Sequence, residues 1–206
     1  VVVNDRFLEL PGPRRRAMVN AGFEVFSRYP YAKAPMSEVS AAGNVSKSLL
    51  FHYFGNKLGL YLYLWDTAVE RISRSTQESG ALEADDLFEA LWRATEAKCR
   101  VMRTHPLLFA FATRAYYEEH PDVRAAISPR VGAALVSAEA AVARLEDRGL
   151  RDGVSARDVY ADFVLLSEGY MAQRYRAGGI DVDEIEHDFA VVIDRWRSAL
   201  AEEDSL

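Results

Sequence analysis

The stretch that decides the fold is Val39-Ser40-Ala41-Ala42-Gly43-Asn44-Val45-Ser46-Lys47-Ser48-Leu49-Leu50-Phe51-His52-Tyr53-Phe54-Gly55-Asn56-Lys57. Leu49, Leu50, Tyr53 and Phe54 recur at helical spacing, and Ser46 stands where an N-cap belongs. Upstream, Val39 and Ala42 are the apolar contacts of a short helix from Pro35 to Gly43. Asn tolerates the left-handed conformation, though less readily than Gly, so Asn44 is expected to close that helix. Gly55-Asn56 reads as a turn, with Asn56 capping a long helix through about Gln77. Two helices joined by a three- or four-residue turn, the second opened by Ser and Lys, form the helix-turn-helix pattern. Its second helix would lie in a major groove, where its N-terminal end also favours phosphate.

Outward from this stretch the periodicity stays helical and strand alternation is almost absent. A first helix is expected from Pro13 to Tyr29, carried by Met18, Ala21, Gly22, Val25 and Phe26 and ended by Pro30. Further helices are expected over Glu83–Thr104, Pro106–Glu119, Asp122–Asp147 (kinked at Pro129), Ser155–Ala177 and Asp181–Glu203. Connections are short, as antiparallel packed helices require. The fold class is therefore all-α, with an N-terminal three-helix unit holding the helix-turn-helix and a C-terminal helical bundle.

The chain has 206 residues and a net charge of −6. Residues 1–60 carry 8 basic and 4 acidic side chains, and residues 61–206 carry 17 basic and 27 acidic ones. This sign split marks a DNA-binding domain at 1–60, which holds the helix-turn-helix, and an acidic second domain at 61–206. The single cysteine, Cys99, excludes an intrachain disulfide and a cysteine-based zinc site. With no signal peptide recognised, a reducing cytoplasm is expected. Apolar runs are interrupted by charges, so no membrane-crossing helix and no membrane partner are expected.

The quoted stretch resembles the DNA-binding signature of the TetR family, approximately I-A-x-x-A-G-V-S-x-x-x-L-Y-x-Y-F-x-x-K followed by a Leu-rich helix. Here Leu58-Gly59-Leu60-Tyr61-Leu62-Tyr63-Leu64 follows Lys57. The resemblance covers residues 13–65; beyond them it consists of length and helical character. It departs from the pattern at four places. Gly43-Asn44 replaces Ala-Gly, Pro30 replaces a Gly after the first helix, Pro35 stands where a Thr or Ser opens the second helix, and Phe51 replaces a Tyr. The resemblance implies a ligand-responsive regulator, expected to be a repressor, that binds a palindromic double-stranded DNA operator as a homodimer.

Lys47 and Ser48 lie on the first turn of the recognition helix, where Lys suits guanine N7 and O6. For Lys47 a phosphate contact is an equal alternative. Leu49 is a candidate for a thymine methyl, Ser46 and Ser37 are the nearby hydroxyls, and Leu50 and Phe54 are read as core. The resemblance implies phosphate contacts for His52, Tyr53 and Lys57. Arg14, Arg15 and Arg16 form a basic cluster that is either a solvated face or, beside a helix-turn-helix, a phosphate or minor-groove contact.

The acidic remainder is rich in aromatics, each of which taken singly reads as core. Helical bundles hold ligands between their helices, and in TetR-like proteins an inducer binds there. Trp92, Met102, Phe109, Phe111, Tyr116, Tyr117 and Tyr170 are the candidate lining for an apolar or cationic effector. In the last two helices, Val159, Phe163, Tyr170, Phe189, Val192, Ile193, Trp196 and Leu200 form stripes. These either pack inward or make a dimer interface, as the resemblance implies.

The rival readings are a helical small-molecule-binding enzyme and a protein-interaction adaptor. Against an enzyme, His52, His105, His120 and His187 are scattered, and no Gly-rich phosphate loop or G-x-S-x-G elbow is present. No catalytic residue, cofactor or metal site is expected. Against an adaptor stands the positive N-terminal unit.

Overall fold

The computed structural model describes residues 3–202, apart from the side chain of Leu82. They form ten α-helices, with a single antiparallel bridge, Leu150 to Ala201, as the only extended pairing among the described residues. The helices are α1 (Asp5–Leu8), α2 (Gly12–Arg28), α3 (Met36–Ala42), α4 (Lys47–Phe54), α5 (Lys57–Glu78), α6 (Leu87–Thr104), α7 (Pro106–Tyr116), α8 (Pro121–Val142), α9 (Ala156–Ala177) and α10 (Val182–Leu200). The sequence reading misses α1 and the 3₁₀ turn Tyr31–Lys33, and it runs α7 and α8 a few residues too far. The end expected for the last helix, Glu203, lies outside the described residues.

Caps fall where the sequence places them. Ser46 Oγ accepts from Leu49 N–H at 3.1 Å, Asn56 Oδ1 from Gly59 N–H at 2.8 Å, and Ser155 Oγ from Asp158 N–H at 3.4 Å. Asn44 has φ +47° and closes α3. Around it Val45 N–H donates to Ser40 O at 3.0 Å and Asn44 N–H to Ala41 O at 3.2 Å, the paired bonds of a Schellman motif. The reversed order of Gly43 and Asn44 has a packing reason. A Cβ at residue 43 would stand 3.0 Å from Val39 O and 3.4 Å from the Met18 Cα, so α2 crosses closest at the glycine and the asparagine takes the positive φ.

Two compact units emerge. One runs to Arg71 and resumes over Thr104–Val131; the other takes Ile72–Arg103 and the chain from Gly132 onward. Helices α5 and α8 each pass from one unit to the other. The core of the first unit is aromatic. Phe26, Tyr61 and Phe111 are fully buried, with ring centroids 5.0 Å apart for Phe26–Tyr61 and 4.9 Å for Tyr61–Phe111. In the second unit Phe163 meets Phe189 at 5.5 Å and Trp196 at 6.0 Å, closing α9 on α10.

Residues 121–145 are long and apolar enough to cross a membrane by length and composition, with a mean hydropathy of 1.2 and 6% of that window buried. The average is carried by Ala and Val between the widely spaced Arg130 and Glu139, which a search for unbroken apolar runs passes over.

Candidate nucleic-acid interface

Helix α4 divides cleanly by face. Leu50, Tyr53 and Phe54 are buried, while Lys47, Ser48 and His52 are exposed. Leu49 and Phe51 are half-buried between these faces. The Lys47 Nζ lies 5.7 Å from the Phe51 ring centroid, which leans the ammonium along the outer face. No acidic residue occurs in the first turn of α4, so the amide end of the helix and Lys47 add their positive potential. Ser37 on α3 and Ser46 and Lys47 at the start of α4 line one open cleft of about 520 Å³. Ser40, Ala41 and Asn44 line it as well, and the sequence reading did not count them among the DNA-contact candidates. Their spacing from Ser37, three, four and seven residues on, is the signal that could have found them.

The other DNA candidates are placed differently from one another. Arg14 and Arg16 are exposed on the first turn of α2, and Arg15 is half-buried. Tyr53 is 6% exposed, its ring 5.6 Å from Phe7. The Lys57 ammonium points into the protein. It donates to Ala34 O at 2.7 Å and Ala32 O at 3.4 Å, and sits 5.0 Å from the Tyr31 ring centroid. Burial pushes its pKa below the ordinary lysine value.

The seven candidate effector residues fall in two groups. Phe109, Phe111, Tyr116 and Tyr117 belong to the first unit, and Trp92, Met102 and Tyr170 to the second. Phe111 is fully buried among Phe23, Phe26 and Tyr61, so it fills a core rather than lining a space. Met102 is buried, and the Tyr170 hydroxyl donates to Asp188 Oδ2 at 2.6 Å. Trp92 lines an open groove of about 420 Å³ between α6 and α10, with Asp86, Glu89, Asp194 and Arg197 around it.

The stripes on α9 and α10 face each other within the chain. Val159, Phe163, Phe189 and Ile193 are each under 8% exposed, and the Phe163 and Phe189 rings pack on each other across α9 and α10. Val192, Trp196 and Leu200 are half-buried. Two apolar residues of the same helices are exposed: Leu165 is 66% exposed and Val191 42%.

Cys99 is 1% exposed, and burial, with Glu186 as the next cause, raises its thiol pKa to about 11. At neutral pH the thiol stays protonated and should react with a thiol reagent only after denaturant is added. The thiol holds its proton in the fold at pH values where the unfolded chain has lost it. This group's contribution to stability therefore falls as pH rises from about 9 towards 11. Fast labelling of the native protein at pH 8 would contradict the burial.

Residues 19–64 match the family model described as bacterial regulatory proteins, tetR family. The HTH-type transcriptional repressor Rv1474c of Mycobacterium tuberculosis (strain ATCC 25618 / H37Rv) is 27% identical over 126 residues, which cover 57% of this chain and 64% of that repressor. The match thus spans less than two thirds of that protein's length. A TetR family transcriptional regulator from Chloroflexus aurantiacus J-10-fl superposes with a TM-score of 0.66 at 17% identity, covering 98% of this chain and 100% of that one. The fatty acid degradation regulator FadR from Bacillus halodurans superposes with a TM-score of 0.69 at 15% identity, covering 89% of this chain and 96% of that one. At such identities these structures establish the fold.

Proposed function

We propose that this chain, which matches the tetR-family model over residues 19–64 and shares the fold of TetR-family structures, is a ligand-responsive transcriptional repressor that binds a palindromic operator as a homodimer. The observation that carries this reading is the exposed face of α4. It sets Lys47 beside the hydroxyls of Ser37 and Ser46 at one cleft, with Ser48 exposed on the next position of the helix, on a segment of positive net charge. One recognition helix reads one half-site, so two copies are needed for a full operator, with grooves spaced about 34 Å or more apart. The second copy docks on the outer faces of α9 and α10 around Leu165 and Val191. The protein works in the cytoplasm beside its DNA and catalyses no reaction.

The effector is an apolar or cationic small molecule. The Trp92 groove offers an indole face with three carboxylates and one guanidinium, which suits a cationic amphiphile. An uncharged apolar molecule is the second candidate class. Either acts only through its different affinities for the DNA-binding and released states.

Selection of bound duplexes from a random pool, repeated with a panel of both effector classes, tests the reading. A palindromic consensus bound in a salt-dependent way is expected, and recovery of no sequence would refute it. Within that consensus, Lys47→Ala should cost about 1–3 kcal/mol and relax preference at one base pair. If Lys47 contacts only phosphate, all sequences weaken alike and the salt slope drops by about one. No change in either quantity would remove α4 from the groove.

A further inference from the structure

We propose that Glu118, in the loop after α7, is a positioning residue for the DNA-reading head, acting with Lys57 through the turn that opens it. The inference deepens the DNA-binding reading above and rests on it. The 3₁₀ turn Tyr31–Lys33 joins α2 to α3, and Ala34 and Pro35 lead from it into Met36. Pro30 precedes the turn and offers no side-chain cap. Its first amide, Tyr31 N–H, donates instead to Glu118 Oε2 at 2.8 Å, from 87 residues away. At the other end the carbonyls of Ala32 and Ala34 accept from Lys57 Nζ. An anion thus holds the amide end of the turn and a cation holds the carbonyl end, each with the sign that the turn's dipole favours.

The surroundings make this a fixed seat. The second Glu118 oxygen accepts from His120 N–H at 3.1 Å, and the His120 ring stands 4.8 Å from that of Tyr31. Tyr61 meets the same ring at 5.1 Å. One turn earlier, Arg114 of α7 donates through Nε to Ser27 O at 2.9 Å, in the last turn of α2. Helix α7 and its loop therefore hold both the end of α2 and the start of the turn, and α3 sets out from that turn. Electrostatics alone predicts the opposite effect of losing Glu118. Removing a carboxylate from a DNA-binding protein lowers repulsion and strengthens binding, whereas a positioning role makes its loss weaken binding.

The test uses the full chain, a duplex recovered by the selection above, and three variants: Glu118→Ala, Glu118→Gln and Lys57→Met. Affinity is measured against salt, well below each variant's melting temperature, together with hydrogen exchange of the Tyr31 amide. Glu118→Ala should bind at least about tenfold more weakly with its salt slope unchanged, because the charge-assisted bond that holds the first amide of the turn is lost. Glu118→Gln keeps an acceptor oxygen and should stay within about threefold of the parent. Lys57→Met should weaken binding without flattening the salt slope; a phosphate contact would take about one from it. The Tyr31 amide should exchange faster in Glu118→Ala. Equal or tighter binding by Glu118→Ala, or equal losses in the Ala and Gln variants, overturns the proposal. A flattened slope in Lys57→Met overturns the part given to Lys57. Should the parent select no DNA, the functional reading fails by itself, and unchanged Tyr31 exchange in Glu118→Ala would then overturn the seat.

Discussion

Gly59→Ala is expected to destabilise the protein by about 3 kcal/mol or more and to abolish DNA binding at the same time. The usual expectation has the other sign. Gly59 lies in the first turn of α5, and replacing a helical Gly by Ala ordinarily stabilises by about 0.5–1 kcal/mol. Here a Cβ would stand 1.9 Å from the Phe54 carbonyl oxygen and 3.1 Å from its carbon. That overlap is with backbone, so no rotamer change relieves it. The Phe54 carbonyl is itself held, accepting from Asn56 N–H at 2.9 Å in the turn between α4 and α5. The clash therefore outweighs propensity, and the chain must open the α4–α5 junction that sets the angle of the recognition helix. For a chain of this size the loss corresponds to a fall of about 6–12 °C in Tm. A thermal melt with an unchanged midpoint, or operator binding at parental affinity, would show that the junction is looser than the geometry says.

The contrast between Gly59 and Ser46 shows what the sequence conveys. Ser46, Asn56 and Ser155 announce helix starts because an N-cap acts within three residues, and each caps as expected. The Schellman closure at Asn44 is equally local and equally legible. The reason for Gly59 is a contact five residues back across a turn, which in sequence is only a poor helix former inside a helical run. The site divides in the same way. Lys47 and Ser48 reach the outer face of α4 by periodicity alone, whereas Lys57 turns inward because Ala32 and Ala34, more than twenty residues earlier, leave carbonyls for it to fill. The aromatic stripes of α9 and α10 show the limit of amphipathicity. Periodicity identifies a buried face without naming what buries it, and Phe163 and Phe189 bury each other.

Phe7→Ala carries the other large effect, with an expected loss of about 3–5 kcal/mol for a fully buried phenyl group. Helix α1 is four residues long, too short for any periodic signal, and it cannot be stable alone. It persists because Phe7 packs against Phe54 at 4.7 Å, Tyr63 at 5.4 Å and Tyr53 at 5.6 Å. The segment before it returns a contact to the recognition helix: Asn4 N–H donates to Tyr53 O at 3.0 Å, satisfying one of the carbonyls that the end of α4 leaves open. Truncation at Phe7 has two ways to resolve. If α1 stays docked, a cavity remains among three rings and the full cost appears. If α1 detaches, the cost shrinks, but Tyr53 and Phe54 are uncovered and the Asn4 bond is lost. Hydrogen exchange separates the two outcomes, since the Asn4 amide gains protons from solvent only in the second. In both, the C-terminal turn of α4 loses its cover, so operator affinity should fall while the salt slope holds, because no charge has changed. A variant with parental stability and parental DNA affinity would mean that α1 contributes nothing to the reading head.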